Sequence, residues 1–208
     1  MTTTRAGGVS APPFDSFNLG DHVGDDPAAV AFNRKRLADA IGVDAIVWMN
    51  QVHGDRVVTV DAPLKPGAAA VDNADALVTT IPGLALAVVT ADCVPVLMAD
   101  ARAGVVAAAH AGRVGAQLGI VARTLEAMLA AGAHVGDVSV LLGPAVSGRN
   151  YEVPEVMAAD VEAAYAQWTA VNALLPDIQA RQRAAVLGLG VLLGAPPERE
   201  LALLDGPL

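Results

Sequence analysis

Apolar residues in this 208-residue chain arrive in short runs, and run after run stops at a turn carrying a histidine, a cysteine or a glycine. Short runs rich in Val and Leu read as buried strands. Strand ends are where a rigid scaffold presents side chains to a pocket, so one pattern constrains fold and site together. The longest apolar stretch, Leu84 to Met98, is broken by Asp92 and Pro95. No uninterrupted run reaches the ~20 residues that a membrane span needs. Hydrophobic residues make up 54% of the chain but aromatics only 3%, so the core has to be built mainly from Ala, Val and Leu.

The runs predict strands over Ala45–Asn50, Arg56–Val60, Ala76–Thr80, Leu84–Thr90, Val94–Ala99, Gly104–Ala109 and Val138–Leu142. Gln51-Val52-His53-Gly54 is the expected turn between the first two. Residues 18–27, rich in turn formers and acids, read as a loop. Asp26 before Pro27 is an N-cap followed by Pro at the first helical position. A helix then covers Ala28–Ile41, with Val30, Leu37 and Ile41 available for its apolar face, and Gly42 ends it. Pro63 to Asp72 reads as a loop. The spacing of Leu118, Val121, Leu125 and Met128 predicts one helix over Gly115–Ala131. Further helices are expected at Pro154–Trp168 and Leu175–Leu187. Strands alternate irregularly with helices, which favours a mixed α/β or α+β sandwich over a strict βαβ succession.

Residues 1–16 lack the charged-then-apolar layout of a signal peptide and read as a flexible leader. The remaining residues, 17–208, are expected to form one domain. The formal charge is -9, and the 13 Lys and Arg residues are thinly spread. That argues against a nucleic-acid backbone as partner; the surplus acid serves solubility. A single cysteine excludes an intrachain disulfide, and a reducing cytoplasm is the simplest home.

Four motifs carry candidate chemistry: Asn50-Gln51-Val52-His53-Gly54, Thr90-Ala91-Asp92-Cys93-Val94-Pro95, Ala109-His110-Ala111-Gly112 and Gly143-Pro144-Ala145. Two imidazoles and a thiolate from His53, Cys93 and His110 suit zinc or copper far better than magnesium or calcium. Three protein ligands leave a fourth tetrahedral position for water or substrate, as in a catalytic zinc site. The same atoms allow a second reading without metal, in which His53 or His110 activates Cys93 as a nucleophile. Spacing alone does not choose, because the three residues lie 40 and 17 positions apart. Asp92 adjoins Cys93 but points to the opposite face of a strand. It reads as a turn-stabilising carboxylate or as a group orienting a ligand histidine.

Taken in order, the stretches NLGDHVGDDPAAVAFNRKRLADAIG, WMNQVHGDRVVTVD, ADALVTTIPGLALAVVTADCVPVLMAD, GVVAAAHAG and LLGPAV…YEV resemble the YfiH family, also called the multicopper polyphenol oxidase or laccase-domain family. Several motifs in a fixed order are far more specific than any one of them. The resemblance covers roughly residues 17–165. It implies a layered α/β/β/α sandwich with mixed sheets and a zinc site formed by His53, Cys93 and His110. The implied activity is phosphorolysis of adenosine, inosine, guanosine and methylthioadenosine, with adenosine deamination alongside. The partners implied are a small-molecule nucleoside and phosphate, with no nucleic acid and no membrane, in a monomer or small homo-oligomer. On the same basis Arg34 is a candidate clamp for phosphate or substrate, and Asn18, with His22, is a candidate lining residue of the pocket.

The chain departs from the family in three places. After His110-Ala111-Gly112 the family pattern is Trp-Arg-Gly, whereas this chain has Arg113-Val114-Gly115, leaving Arg113 to supply the charge from a shifted position. Arg149-Asn150 stands where members carry cysteines, which excludes a metal or redox role there. The family's closing Cys-Thr and Ser-Tyr-Arg-Arg elements have no counterpart after Leu187, so the tail is shorter than usual. The alternatives to a phosphorylase are a laccase-like copper oxidase of phenols, a cysteine hydrolase editing peptidoglycan precursors, and a degenerate nucleoside-binding protein.

Overall fold

The computed structural model describes residues 1–43, 45–62, 68–148 and 150–151. The helices expected at Pro154–Trp168 and Leu175–Leu187 lie outside the described residues. Helix α1 spans Pro27–Ile41. Its start follows from local chemistry: the Asp26 side chain accepts from the Ala28 amide, and proline occupies the first turn, where a missing N–H costs nothing. Gly42 ends it in the left-handed conformation that glycine adopts without a steric penalty.

Among the described residues seven strands follow: β1 (Ala45–Val47), β2 (Val57–Val60), β3 (Ala76–Thr79), β4 (Leu84–Leu86), β5 (Val94–Asp100), β6 (Val105–Ala111) and β7 (Val138–Leu142). They form two sheets. β1 and β4 pair in parallel, and the other five run β2-β3-β6-β5-β7. In the larger sheet β2 and β3 are parallel and every other pair is antiparallel. The turn at residues 51–54 therefore does not close a hairpin. It carries the chain from one sheet to the other, because β1 and β2 each find a later strand as partner.

Alternation along the strands sorts two cores. Ala76, Val78, Val96, Met98, Val105, Ala107 and Ala109 face helix α3 (Ile120–Ala130). The opposite face contributes Leu77 and Val60 to a second cluster with Val47, Met49 and Ala74, with Leu84 and Leu86 of β4 packed against it. Ile46 and Trp48 alternate with Val47 and so turn away from that cluster. There the Arg34 guanidinium of α1 lies over the Trp48 ring at 4.1 Å. The layers run α3, large sheet, small sheet, α1: the α/β/β/α sandwich. Alanines at the centre of β6 leave room for Ile120 and Met128, which are fully buried, so a core nearly free of aromatics still closes.

Three elements differ from the sequence reading. The single helix expected over Gly115–Ala131 is two, α2 (Arg113–Gln117) and α3, separated at Gly119, whose φ of 84° interrupts a right-handed helix. The buried face of α3 is Ile120, Thr124 and Met128; Leu118 is exposed. Thr124 tolerates burial because its hydroxyl donates to the Ile120 carbonyl. Strand β4 ends at Leu86; the Ala87 amide still donates to the Val47 carbonyl, and residues 88–90 leave the ladder.

The N-terminal residues fold back on α1. The Asn33 side chain is fully buried; it accepts from the Val9 amide and donates to the Ser10 hydroxyl and to the Ser16 and Asn18 carbonyls. Its two N–H hydrogens are shared among three acceptors, and its oxygen accepts one amide, so both ends of the buried side chain are anchored. Replacing Asn33 with alanine strips those partners. The expected cost is about 2–3 kcal/mol in urea unfolding, with tryptic cleavage at Arg5 becoming faster. Unchanged cleavage would show that the segment is held by something else.

Candidate metal centre

The register of the large sheet explains how distant residues meet. Ala76 pairs with Ala109 across β3 and β6, and one step further the His110 amide donates to the Asp75 carbonyl at 2.7 Å. Asp75 and His110 thus stand side by side on the face away from α3. Pro95 pairs with His110 on the other flank. Cys93, two residues before Pro95, shares that face by alternation. His53 arrives from the turn between the two sheets.

The result is a cluster in which one ligand atom each of His53, Cys93 and His110 lies within 4.8 Å of the others. Cys93 Sγ is 3.8 Å from His53 Nε2, and the two imidazole rings meet edge to face with centroids 4.7 Å apart. His110 is buried, Cys93 half-buried and His53 exposed, so the cluster opens to solvent on the His53 side. The expected trio is therefore brought together, and it could hold a metal ion.

Asp75 organises this centre, and nothing in its local sequence marks it. Its carboxylate is fully buried. It accepts from the Val52, His53 and Gly54 amides at 3.2, 2.9 and 2.8 Å, and lies 2.9 Å from His110 Nδ1. His53 has a φ of 60°, which is costly for a residue with a Cβ. Three amide bonds to one carboxylate offset that cost. Asp92 has a different place: its side chain is exposed, and its backbone carbonyl accepts from Val146. The histidine-orienting role considered for Asp92 thus falls to Asp75.

Two more features shape the site. The Gln51 side chain donates to the Val89 carbonyl and accepts from the Val89 amide, at 2.8 and 2.9 Å, joining the His53 turn to the segment leading to Cys93. Gly112 begins α2 and is buried against the cluster. A Cβ there would lie 2.8 Å from His53 Cδ2 and 3.2 Å from Cys93 Sγ. A side chain at position 112 would overlap His53 and crowd Cys93, so glycine leaves both free to converge, and two imidazoles with a thiol are donors that fit a soft-ligand cation.

The Cys93 thiol is pushed above its ordinary pKa, first by burial, then by the charges of Asp92 and Asp75. Both causes disfavour an isolated thiolate, which works against a metal-free cysteine nucleophile. A bound cation would reverse them.

The other expected site residues lie outside the trio itself. Asn18 caps its own loop: its side chain donates to Gly20 and Asp25 and accepts from the Gly20 amide. It also lines an open cleft of about 910 Å³, together with Phe17, Trp48, Thr90 and Ala91. Arg34 donates to the Leu19 carbonyl and pairs with Asp21 at 3.2 Å besides stacking on Trp48. His22 is exposed beside Asp21. Arg113 is the first residue of α2, next to Gly112.

A layered mixed α/β sandwich presenting a His–Cys–His set where its two sheets meet defines a class of α/β protein with a candidate metal centre. Within that class, the chain belongs to the multi-copper polyphenol oxidoreductase laccase family, whose model matches residues 1–194. It is similar to a Mycobacterium tuberculosis protein named purine nucleoside phosphorylase, 72% identical over 166 residues; these cover 79% of this chain and 65% of that protein. A Corynebacterium glutamicum purine nucleoside phosphorylase is 54% identical over 194 residues, covering 92% of this chain and 74% of that one. Among solved structures, YlmD from Geobacillus stearothermophilus is similar at TM-score 0.71 and 35% identity, over 77% of this chain and 62% of that one. The Bacillus licheniformis protein YfiH gives 0.69 and 33%, over 76% and 62%. The chain thus spans less than two thirds of the mycobacterial relative and of both solved structures.

Two measurements probe the centre. Gly112 has φ -71° and ψ 167°, which alanine also adopts, so Gly112→Ala should melt near the wild-type temperature. Its metal content by elemental analysis should nevertheless fall at least ~10-fold, because the methyl displaces His53; full loading would refute the packing argument. The raised thiol pKa means that metal-free protein should react slowly with iodoacetamide at neutral pH, accelerating as pH rises above the ordinary thiol range. Fast alkylation at pH 7 would instead support a nucleophilic Cys93.

Proposed function

We propose that this chain is a zinc-dependent purine nucleoside phosphorylase, taking adenosine, inosine, guanosine or methylthioadenosine with phosphate to free base and ribose 1-phosphate. Adenosine deamination is a second activity of the same pocket. The observation that carries the reading is the convergence of His53, Cys93 and His110 in a chain so similar to proteins named purine nucleoside phosphorylase.

In this reading the side chains of His53, Cys93 and His110 would hold the ion, and the exposed His53 side would admit the reactants. Zinc, when bound, supplies Lewis acidity for negative charge that develops during the reaction. The residues around it position the reactants. Arg113, beside Gly112 at the start of α2, is the cation assigned to phosphate. Its planar fork suits that ligand. The cleft lined by Phe17, Asn18 and Trp48 takes the nucleoside, with an aromatic wall for the purine. Arg34, stacked on Trp48, sets one edge of that wall. Phosphorolysis gains from holding phosphate and ribose in line and excluding competing water.

A copper oxidase has less support. The chain has four histidines in all, and His22 and His134 stand outside the cluster. The type 1 and multinuclear sites of such oxidases draw on many more imidazoles. Cys93 needs a reducing compartment to remain a ligand, which favours the cytoplasm. Among the described residues no helix is long and apolar enough to cross a membrane.

Incubating purified protein with inosine, with and without phosphate, and resolving the products by chromatography tests the proposal. Hypoxanthine and ribose 1-phosphate are expected, dependent on phosphate, with a loss of at least ~100-fold in Cys93→Ala. Base release no greater than in that variant would end the phosphorylase reading, and release indifferent to phosphate would make the protein a hydrolase.

A further inference from the structure

Asp75 receives four donors. Oδ1 takes the His53 amide and His110 Nδ1; Oδ2 takes the Val52 and Gly54 amides. A carboxylate offers about four lone-pair sites. All are in use and all face N–H groups or a ring nitrogen, so Asp75 is an acceptor on every side and His110 Nδ1 is the donor. With Nδ1 carrying the hydrogen, Nε2 is the only nitrogen of His110 free to bind an ion. The same carboxylate holds the backbone of His53 in its left-handed conformation.

We infer that Asp75 is the positioning residue of this centre: a single carboxylate fixes the tautomer and orientation of His110 and the backbone that aims His53. The inference rests on the reading of His53, Cys93 and His110 as metal ligands. It concerns how they are aimed and not which reaction follows.

The fold supplies a matched control. Asp100 is also fully buried and also accepts three backbone amides, from Arg102, Ala103 and His134. It stands at the far end of β5 from Cys93 and touches no ligand side chain. Losing either carboxylate costs comparable backbone hydrogen bonds, but only one loss reaches the cluster. An asparagine at position 75 cannot accept through its amide nitrogen, so some of the four donors lose their partner.

The experiment is competition for Zn²⁺ against a chromophoric chelator, on wild-type protein, Asp75→Asn and Asp100→Asn, with a thermal melt of each. Asp75→Asn should bind zinc ~10- to 100-fold more weakly, and Asp100→Asn should match wild type even if it melts lower. Equal affinity in wild type and Asp75→Asn overturns the inference, and so does an equal loss in both variants. Wild-type protein that takes up no zinc overturns the metal reading together with it. Long-range ¹⁵N–¹H correlation on zinc-loaded wild-type protein needs no variant to fold. It should show His110 with hydrogen on Nδ1 and the metal on Nε2; the reverse assignment refutes the role of Asp75.

Discussion

The Asp75 carboxylate is the interaction on which the candidate centre depends. Burying a carboxylate is expensive unless its oxygens are fully hydrogen-bonded, and here both are. The donors come from two separate stretches, the turn at 52–54 and the strand carrying His110. Neither stretch has the geometry alone. The turn would have to hold a non-glycine residue at positive φ unaided, and His110 would be free to choose either tautomer. The acid at the start of β3 resolves both, and it sits there because the β3–β6 register puts residue 75 opposite residue 110.

The large sheet divides structural work by face. Toward α3 it shows Val, Ala and Met in a dry cluster. Toward the small sheet it shows Leu77 and Ala108, then Asp75 and His110 as the ladder ends. Odd and even positions of one strand therefore answer to different demands. On β6 the odd alanines must be small to admit α3, while the even-numbered His110 serves the centre.

Much of this was legible in the chain. Helix α1 announced both ends through Asp26, Pro27 and Gly42, because caps are local. The trio of His53, Cys93 and His110 was legible because ordered motifs travel together, not because of spacing. What escaped was non-local. Asp75 is one acid before an apolar run, and its value depends on which strand pairs with β3. The turn at 51–54 resembled a hairpin because flanking strand patterns do not say which sheet each strand joins. Gly119 lay inside a helical periodicity that continued past it, and only its positive φ separates α2 from α3. Residues 152–208 lie outside what the structure describes, so the helices expected there stand as sequence expectations.

Gln51 adds a mechanical consequence. Its side-chain amide stands in for a missing strand residue, pairing with Val89 through one donor and one acceptor just where β4 has left the ladder. Val89 also lines the cleft. The cleft wall and the backbone two residues before His53 are therefore linked by a stiff two-point clasp, and Val89 cannot shift without breaking both bonds or dragging Gln51 with it. Asparagine, one methylene shorter, could not span the gap, so the link depends on the length of one uncharged side chain.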